Sequence, residues 1–260
     1  STLSSAKYFY IFSLLLFILF ANAFSNTRVA FSRPSTLIRN PSLLAQPLEQ
    51  EYHIGFSSEI INLNTLNSSD AIFFKSISNS GFQYGIAYSS HAMVDKADQS
   101  PPSELSFHFS KRIYEMQKIK IDMGINDILY STEGKHELSV YVALLNANIP
   151  IGKNQKFFLQ TAIGFGTGKV NYDSHNYQEE LSHRARFFLG LNFKTPYLSE
   201  RGGIDILLDF DGSGTHLGTI IPINKKLDVK IAMTNFQNIG EFNNYENKEN
   251  KTIFSDAPAF

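Results

Sequence analysis

Apolar and polar residues alternate through most of the chain after residue 50, and this two-residue period constrains the fold more than any other feature. In the stretch QKIKIDMGIND, residues 117–127, the side chains of Ile119, Ile121, Met123 and Ile125 share one face of an extended chain. The polar residues between them occupy the other face. This pattern is typical of a strand with a dry face and a wet face. The dry face can meet a protein core, or it can meet lipid.

The alternating segments are numerous and long. We count about twelve of them, and most approach the ~10 residues that a tilted membrane strand needs, whereas globular strands are nearer five or six. The clearest apolar faces lie at 52–56, 82–88, 105–109, 119–125, 138–144, 157–165, 187–193, 204–210 and 227–233. No helical period interrupts this series. We therefore predict an all-β fold, an antiparallel transmembrane β-barrel of about 12–14 strands with an N-terminal plug-like segment.

The connections between these segments alternate in length. Short polar turns are predicted at 79–81, 115–117, 152–155 and 224–226, and longer segments at 91–103, 131–136, 171–183 and 237–251. Outer-membrane barrels have short periplasmic turns and long outer loops. We therefore expect the long segments outside the cell. The tight turn at 211–214 departs from the alternation.

The N-terminus has the organisation of a secretory signal peptide. Lys7 precedes an apolar run over 8–20, which ends in the small-residue sequence Ala21-Asn22-Ala23. A membrane anchor is the alternative, but the run is shorter than the ~20 residues of a spanning helix. We predict cleavage after Ala23 and residence in the cell outer membrane. The chain has no cysteine, and a closed barrel needs no disulfide for its stability.

Composition and motifs exclude several other functions. A net charge of −1 and a pI near 6.6 do not fit a nucleic-acid binder, which needs a basic face. The stretch DFDGSG, residues 209–214, lacks the spacing of a calcium loop. His216 lies near Ser213, but no G-x-S-x-G motif accompanies them, so an outer-membrane lipid hydrolase is the weakest of the functions considered. We predict no catalytic residue, no cofactor and no metal site.

Three glycines on the polar face of one predicted strand suggest an internal contact. Gly164, Gly166 and Gly168 leave that lumen wall almost without side chains. The glycines can mark bends in the strand, or they can accommodate another segment packed against the wall. Residues 24–50, which contain three prolines and little alternation, are the candidate for that segment.

Two short stretches resemble a known family. Asn40-Pro41-Ser42-Leu43-Leu44, just before the first strand, is similar to the entry motif of FadL-like barrels, especially the PorV/PorQ-type proteins of type IX secretion. The sequence IAMTNFQNIGEF, residues 231–242, resembles a late strand of that family that ends in an Asn-(Ile/Leu)-Gly turn. The chain departs from the family by lacking a glycine pair before Asn40. It is also shorter than most members, and we expect that strands are missing at its C-terminus.

The resemblance implies three regions and two functions. Residues 1–23 are the signal peptide, 24–50 the plug or periplasmic segment, and 51–260 the barrel. Asn40, Pro41, Leu43 and Leu44 form the plug motif, and we expect the two leucines to pack at the glycine wall. FadL-like members imply transport of small hydrophobic or amphipathic molecules. PorV-like members imply a non-catalytic component that receives secreted proteins, so the expected partners are outer-membrane lipid and either a small molecule or a secreted protein.

Overall fold

The described part of the chain is a single antiparallel sheet. The computed structural model describes residues 29–33, 35, 37–40, 51–63, 67–90, 103–131, 139–152, 156–167, 186–212, 214–242 and 258–260. Eleven strands pair in sequence order: β1 Glu51–Asn62, β2 Asn67–Ile77, β3 Phe82–Ser90, β4 Ser103–Met116, β5 Ile119–Ser131, β6 Ser139–Ile151, β7 Phe157–Gly166, β8 Arg186–Lys194, β9 Asp205–Phe210, β10 Thr215–Asn224 and β11 Leu227–Met233. Two 3-10 helices span Ser199–Arg201 and Phe236–Glu241. The predicted all-β class and antiparallel pairing are confirmed.

The sheet has two ends, which differ in their connections. At one end, here the turn end, three hairpins close at residues 78–81, 117–118 and 225–226. Gly81 and Gln117 have positive φ values of 82° and 52° there, as tight turns require. The turn predicted at 115–117 therefore lies slightly later, because β4 continues to Met116. A ten-residue connection at 195–204 also belongs to the turn end, so connection length does not alternate throughout.

The opposite end, here the loop end, joins β3 to β4, β5 to β6 and β7 to β8 through segments outside the described residues. The predicted long loops at 91–103, 131–136 and 171–183 fall mostly on these segments. The predicted loop at 237–251 follows β11 instead; its first residues belong to the 3-10 helix Phe236–Glu241, and residues 243–251 lie outside the described residues. The hairpin between β9 and β10 is tight, and Asp211 closes it by accepting a hydrogen bond from the Gly214 N–H at 2.9 Å. The turn predicted at 211–214 is confirmed.

The two faces of the sheet have inverted polarity. All eleven strands expose large apolar side chains on the outer face, among them Ile54, Tyr84, Val142, Ile163 and Ile231. The inner face buries a polar or charged side chain from each of β1 to β10. Examples are Glu59, Lys75, Gln83, His108, Asp122, Ser139, Gln160, Asn192, Asp209 and His216. In the opening stretch, Lys120 and Asp122 are buried while Ile119 is exposed. The predicted division of that strand into two faces is confirmed.

Residues 258–260 lie between the two edges of the sheet. Ala259 and Thr234, the residue after β11, exchange backbone hydrogen bonds of 2.9 and 3.3 Å. Phe260 and Ile60 of β1 exchange two more, of 2.7 and 3.0 Å. β1 and β11 themselves are not paired with each other in the described ladder. Among the described residues, the two edge strands are thus connected only at the loop end.

In the part of the chain that the structure describes, we found no helix of the length and hydrophobicity needed to cross a membrane.

Candidate functional site: a polar interior holding an inner segment

A short stretch that precedes the sheet in sequence lies on its inner face. It comprises residues 29–33, 35 and 37–40, which we call the inner segment. The segment folds back on itself, because the Phe31 N–H donates to the Ile38 carbonyl at 2.7 Å. Phe31 adopts a positive φ of 59° at this reversal. Leu37, Ile38 and Asn40 are almost completely buried. A compact element thus lies against the polar face of the sheet.

The apolar side chains of the inner segment pack into two clusters. Leu37 packs with Tyr141, Ala143, Leu145, Ala162 and Phe188. Ile38, with Ala30 and Phe31, packs with Leu207, Ile220 and Ala232. These wall residues belong to β6–β8 in the first cluster and β9–β11 in the second. The segment therefore rests against six consecutive strands.

Two glycines of the wall permit this close approach. A Cβ built at Gly190 would lie 2.2 Å from the Leu37 Cδ1 atom, inside van der Waals contact. A Cβ at Gly218 would lie 3.1 Å from the Ile38 Cδ1 atom. Because interiors are close-packed, any larger residue at 190 must displace Leu37.

Asn40, the asparagine of the predicted plug motif, is fixed by Asp209 of β9. The Asp209 carboxylate accepts from the Arg39 N–H at 2.7 Å and from the Asn40 N–H at 3.0 Å. The Asn40 side-chain amide also donates to Asp209, and to the carbonyls of Leu189 and Phe210 at 3.0 Å each. Hydrogen bonds to a charged group contribute about 1.5–3 kcal/mol each. We call this group the Asn40–Asp209 clamp.

Glu59 of β1 holds the segment from the other edge of the sheet. Its carboxylate forms a buried ion pair with Arg39 and accepts hydrogen bonds from the Ala30 N–H and the Thr234 hydroxyl. Ser57 donates to the Ala30 carbonyl at 2.6 Å. The Glu59 side chain thus contacts the inner segment at Arg39 and at Ala30. It also contacts Thr234, the residue that follows β11.

Two lysines face the inner segment from the turn-end side. Lys75 of β2 donates to the Ser35 carbonyl at 3.2 Å, and Lys230 of β11 lies 5.4 Å from the centre of the Phe31 ring. Neither ammonium group forms an ion pair within the described residues. Their close contacts are a carbonyl and a ring face, which are weaker partners of a cation than a carboxylate, and Asp228 acts on both only from a longer distance.

The rest of the polar interior forms separate networks. Arg112 of β4 pairs with Asp122 of β5 at 3.0 Å, and Lys120 pairs with Glu115 at 2.8 Å. Asn192 of β8 donates to Asp205 at 2.9 Å. These contacts join neighbouring strands and do not involve the inner segment, so they stabilise the wall itself.

His108 and His216 are the two buried histidines of the described residues. His216 Nδ1 accepts the Asn235 N–H at 3.0 Å, and its Nε2 faces Asp211 at 3.3 Å, so within the described part of the chain neither contact is to a serine. Ser213 lies outside the described residues. His108 Nε2 lies 3.1 Å from the Ser106 hydroxyl, which also donates to the Ala87 carbonyl at 3.2 Å. No group of three potential metal-ligating side chains converges among the residues described.

The predicted site residues have different outcomes. Asn40 is buried and clamped, as described above. Pro41, Leu43, Leu44 and Gly168 lie outside the described residues. Gly164 and Gly166 do face inward, but the space over Gly164 is occupied by a wall residue. A Cβ built there would lie 2.3 Å from the Phe188 ring.

Sequence reasoning missed the residues that hold the inner segment. Arg39, Glu59 and Asp209 carry its polar contacts, and Leu37 and Ile38 its apolar ones. The sequence signal for this contact was the presence of glycine at positions 190 and 218. Each is an inward position of a strand, where the lack of a side chain leaves room for another segment.

The sequence matches no protein-family model, and comparisons with curated proteins and with solved structures likewise found no significant match.

Proposed function

We propose that the sheet is the wall of an outer-membrane β-barrel whose outer face contacts lipid. The observation that carries this proposal is the inverted polarity of the two faces. Burying apolar surface contributes about 25 cal/mol per Å², so a sheet that exposes large apolar side chains on all eleven strands is unfavourable in water. The same surface is favourable against hydrocarbon. The buried charged face is then the lumen, where polar groups pair with one another.

The function that best fits this architecture is transport of small hydrophobic or amphipathic molecules, with the inner segment as the closed gate. Its described polar attachments include hydrogen bonds and the ion pair between Arg39 and Glu59, which water in a lumen can replace. The lumen is mixed in character, since Leu145, Phe188 and Leu207 lie among the charged residues. Such a lining suits a molecule with an apolar body and a polar group.

Contact with lipid is tested with single tryptophans, because the chain has none of its own. Ile163→Trp is outward and Phe188→Trp is inward. In vesicles containing brominated lipid, we expect strong quenching of the first variant and little of the second. Equal quenching of both, or of neither, would exclude a lipid-facing outer surface.

Gating is tested by tethering the inner segment. Ala30→Cys and Ser57→Cys place thiols on two residues that are in contact, since the Ser57 hydroxyl donates to the Ala30 carbonyl at 2.6 Å. We expect oxidation of the double variant to abolish uptake of a hydrophobic dye into vesicles and dithiothreitol to restore it. Each single-cysteine variant is the control and should not respond. Uptake that is identical in the oxidised and reduced double variant would show that the segment is no gate.

A second function, reception of a secreted protein at the loop end, is favoured by the close packing of Leu37 over Gly190. If that contact holds the inner segment permanently against the wall, the barrel has no passage. A barrel that receives secreted proteins would not need one. This function is favoured over transport if dye uptake is the same with and without the disulfide tether, while the Ile163→Trp variant is still quenched by brominated lipid and the Phe188→Trp variant is not.

A further inference from the structure

The backbone contacts of residues 258–260 have the pattern of a strand inside a sheet. Within an antiparallel sheet, successive residues of a central strand bond alternately to the neighbour on either side. Ala259 bonds to Thr234 beside β11, and Phe260 bonds to Ile60 of β1. Their side chains alternate too, because Ala259 is buried and Phe260 is exposed. These residues are positioned as the beginning of a strand between the two edges.

Strand direction gives an independent reason for a strand at this place. In an up-and-down sheet, consecutive strands run in opposite directions, so β1 and β11 run in the same direction, from the turn end to the loop end. They cannot close the sheet as an antiparallel pair. One strand of opposite direction between them satisfies both edges, and residues 258–260 run in that direction, antiparallel to Thr234. Single-chain bacterial barrels have an even number of strands for the same reason.

The exposure of β1 shows where a neighbour is lacking. Ile54 is 79% exposed and Phe56 71%, whereas isoleucines in the middle of the sheet, Ile86 and Ile163, are 42% and 41% exposed. All four side chains point outward. The additional exposure at β1 is therefore the flank that an adjacent strand would cover.

We propose that the edges of β1 and β11 form a slot for one β-strand, which continues the path of residues 258–260 from the loop end to the turn end. The proposal rests on the membrane-embedded sheet proposed above, but not on transport. Its occupant is an antiparallel strand of alternating character, with polar side chains inward and apolar side chains outward.

The pairs already formed fix the register of this strand. Continuing from Phe260 opposite Ile60, the third added residue lies opposite Ser57 on one side and Lys230 on the other, facing inward. Because Phe260 and Ile60 form a hydrogen-bonded pair, the pair at Ser57 is of the closer, non-hydrogen-bonded kind, with Cα atoms about 4.5 Å apart. That separation is within the range of a disulfide. An acidic residue elsewhere on the inward face of this strand would meet the two lysines.

The test extends the chain after Phe260 by about nine residues, the length needed to reach the level of Glu51. In the in-phase extension, odd added positions are polar and even ones apolar. The control extension has the same composition shifted by one residue, which turns its apolar side chains toward the lumen. Both carry cysteine at the third added position in a Ser57→Cys background.

We expect the in-phase extension to form the disulfide in most molecules and to raise the guanidinium midpoint of unfolding. The shifted extension should do neither. Failure of the in-phase extension to crosslink, or equal crosslinking by both extensions, would overturn the slot. A crosslinked protein that does not float with vesicles would instead overturn the membrane proposal and leave the slot intact.

Discussion

The Asn40–Asp209 clamp makes a quantitative prediction about release of the inner segment. Asp209→Asn keeps the size of the side chain but removes its charge and replaces one acceptor oxygen by an NH₂ group. Three hydrogen bonds from Arg39 and Asn40 converge on this carboxylate. A charge-assisted hydrogen bond contributes about 1.5–3 kcal/mol and a neutral one about 0.5–1.5, so the substitution should cost the bound segment about 2–4 kcal/mol.

This free-energy cost can be measured from the rate at which a buried thiol, introduced as Ser35→Cys, reacts with a maleimide. Ser35 is buried in the inner segment and differs from cysteine by one atom, and the chain has no other cysteine. If labelling of Ser35→Cys by a maleimide requires release of the segment, its rate follows the fraction released. A loss of 2–4 kcal/mol then accelerates labelling by about 30- to 1,000-fold, since each 1.4 kcal/mol is a factor of ten.

Asp122→Asn is the matched control for this experiment. Asp122 is equally buried on the inner face but pairs with Arg112 of the wall and not with the inner segment. We expect it to leave the labelling rate of Ser35→Cys nearly unchanged. Equal acceleration by both substitutions would mean that the whole wall had loosened. No acceleration by Asp209→Asn would refute the assignment of the clamp.

Three further predictions concern the inner segment, the outer face and the orientation of the sheet. Gly190→Ala should displace Leu37 and accelerate labelling of Ser35→Cys. In a Leu37→Ala background, which removes the clash, Gly190→Ala should add little further acceleration; an unchanged rate in Gly190→Ala alone would contradict the close approach. Met123→Arg, on the outer face, should destabilise the membrane-inserted protein by about 2–4 kcal/mol in guanidinium unfolding if it lies near the midplane, whereas Asp122→Asn should be milder. Epitope tags at positions 97 and 176 should be accessible on intact cells and a tag at 154 only after permeabilisation; surface labelling at 154 alone would reverse the orientation.

Local sequence pattern predicted the strands well because each strand depends mainly on its own alternation. Ile119 and Lys120 point to opposite faces because successive side chains of any strand alternate between its two faces. Hairpin turns such as the one at Gly81 are also local, since they depend on residues that tolerate positive φ. The identity of the residues on the inner face followed from the same alternation.

The site was harder to predict because its partners are distant in the chain. Asn40 was selected for its resemblance to a family motif, but its acceptor Asp209 is 169 residues away. No local pattern connects these two positions. The glycine wall was located at Gly164 because three glycines alternate there, yet a neighbouring aromatic, Phe188, fills that space. A single inward glycine, Gly190, makes the closest contact with the inner segment, and one glycine is a weak signal in any strand.

The distances in sequence also imply an order of assembly. Each strand pairs with its immediate successor, so the sheet can form by successive addition of neighbouring hairpins, without long loop closures. The inner segment is synthesised before the sheet, but Asp209, which accepts hydrogen bonds from Arg39 and Asn40, belongs to β9 and lies 170 residues after Arg39. Glu59 of β1 is available to Arg39 earlier, but the Asn40–Asp209 clamp cannot form until nearly the whole wall exists. Docking of the segment should be a late folding event, and its buried charges must remain hydrated until then.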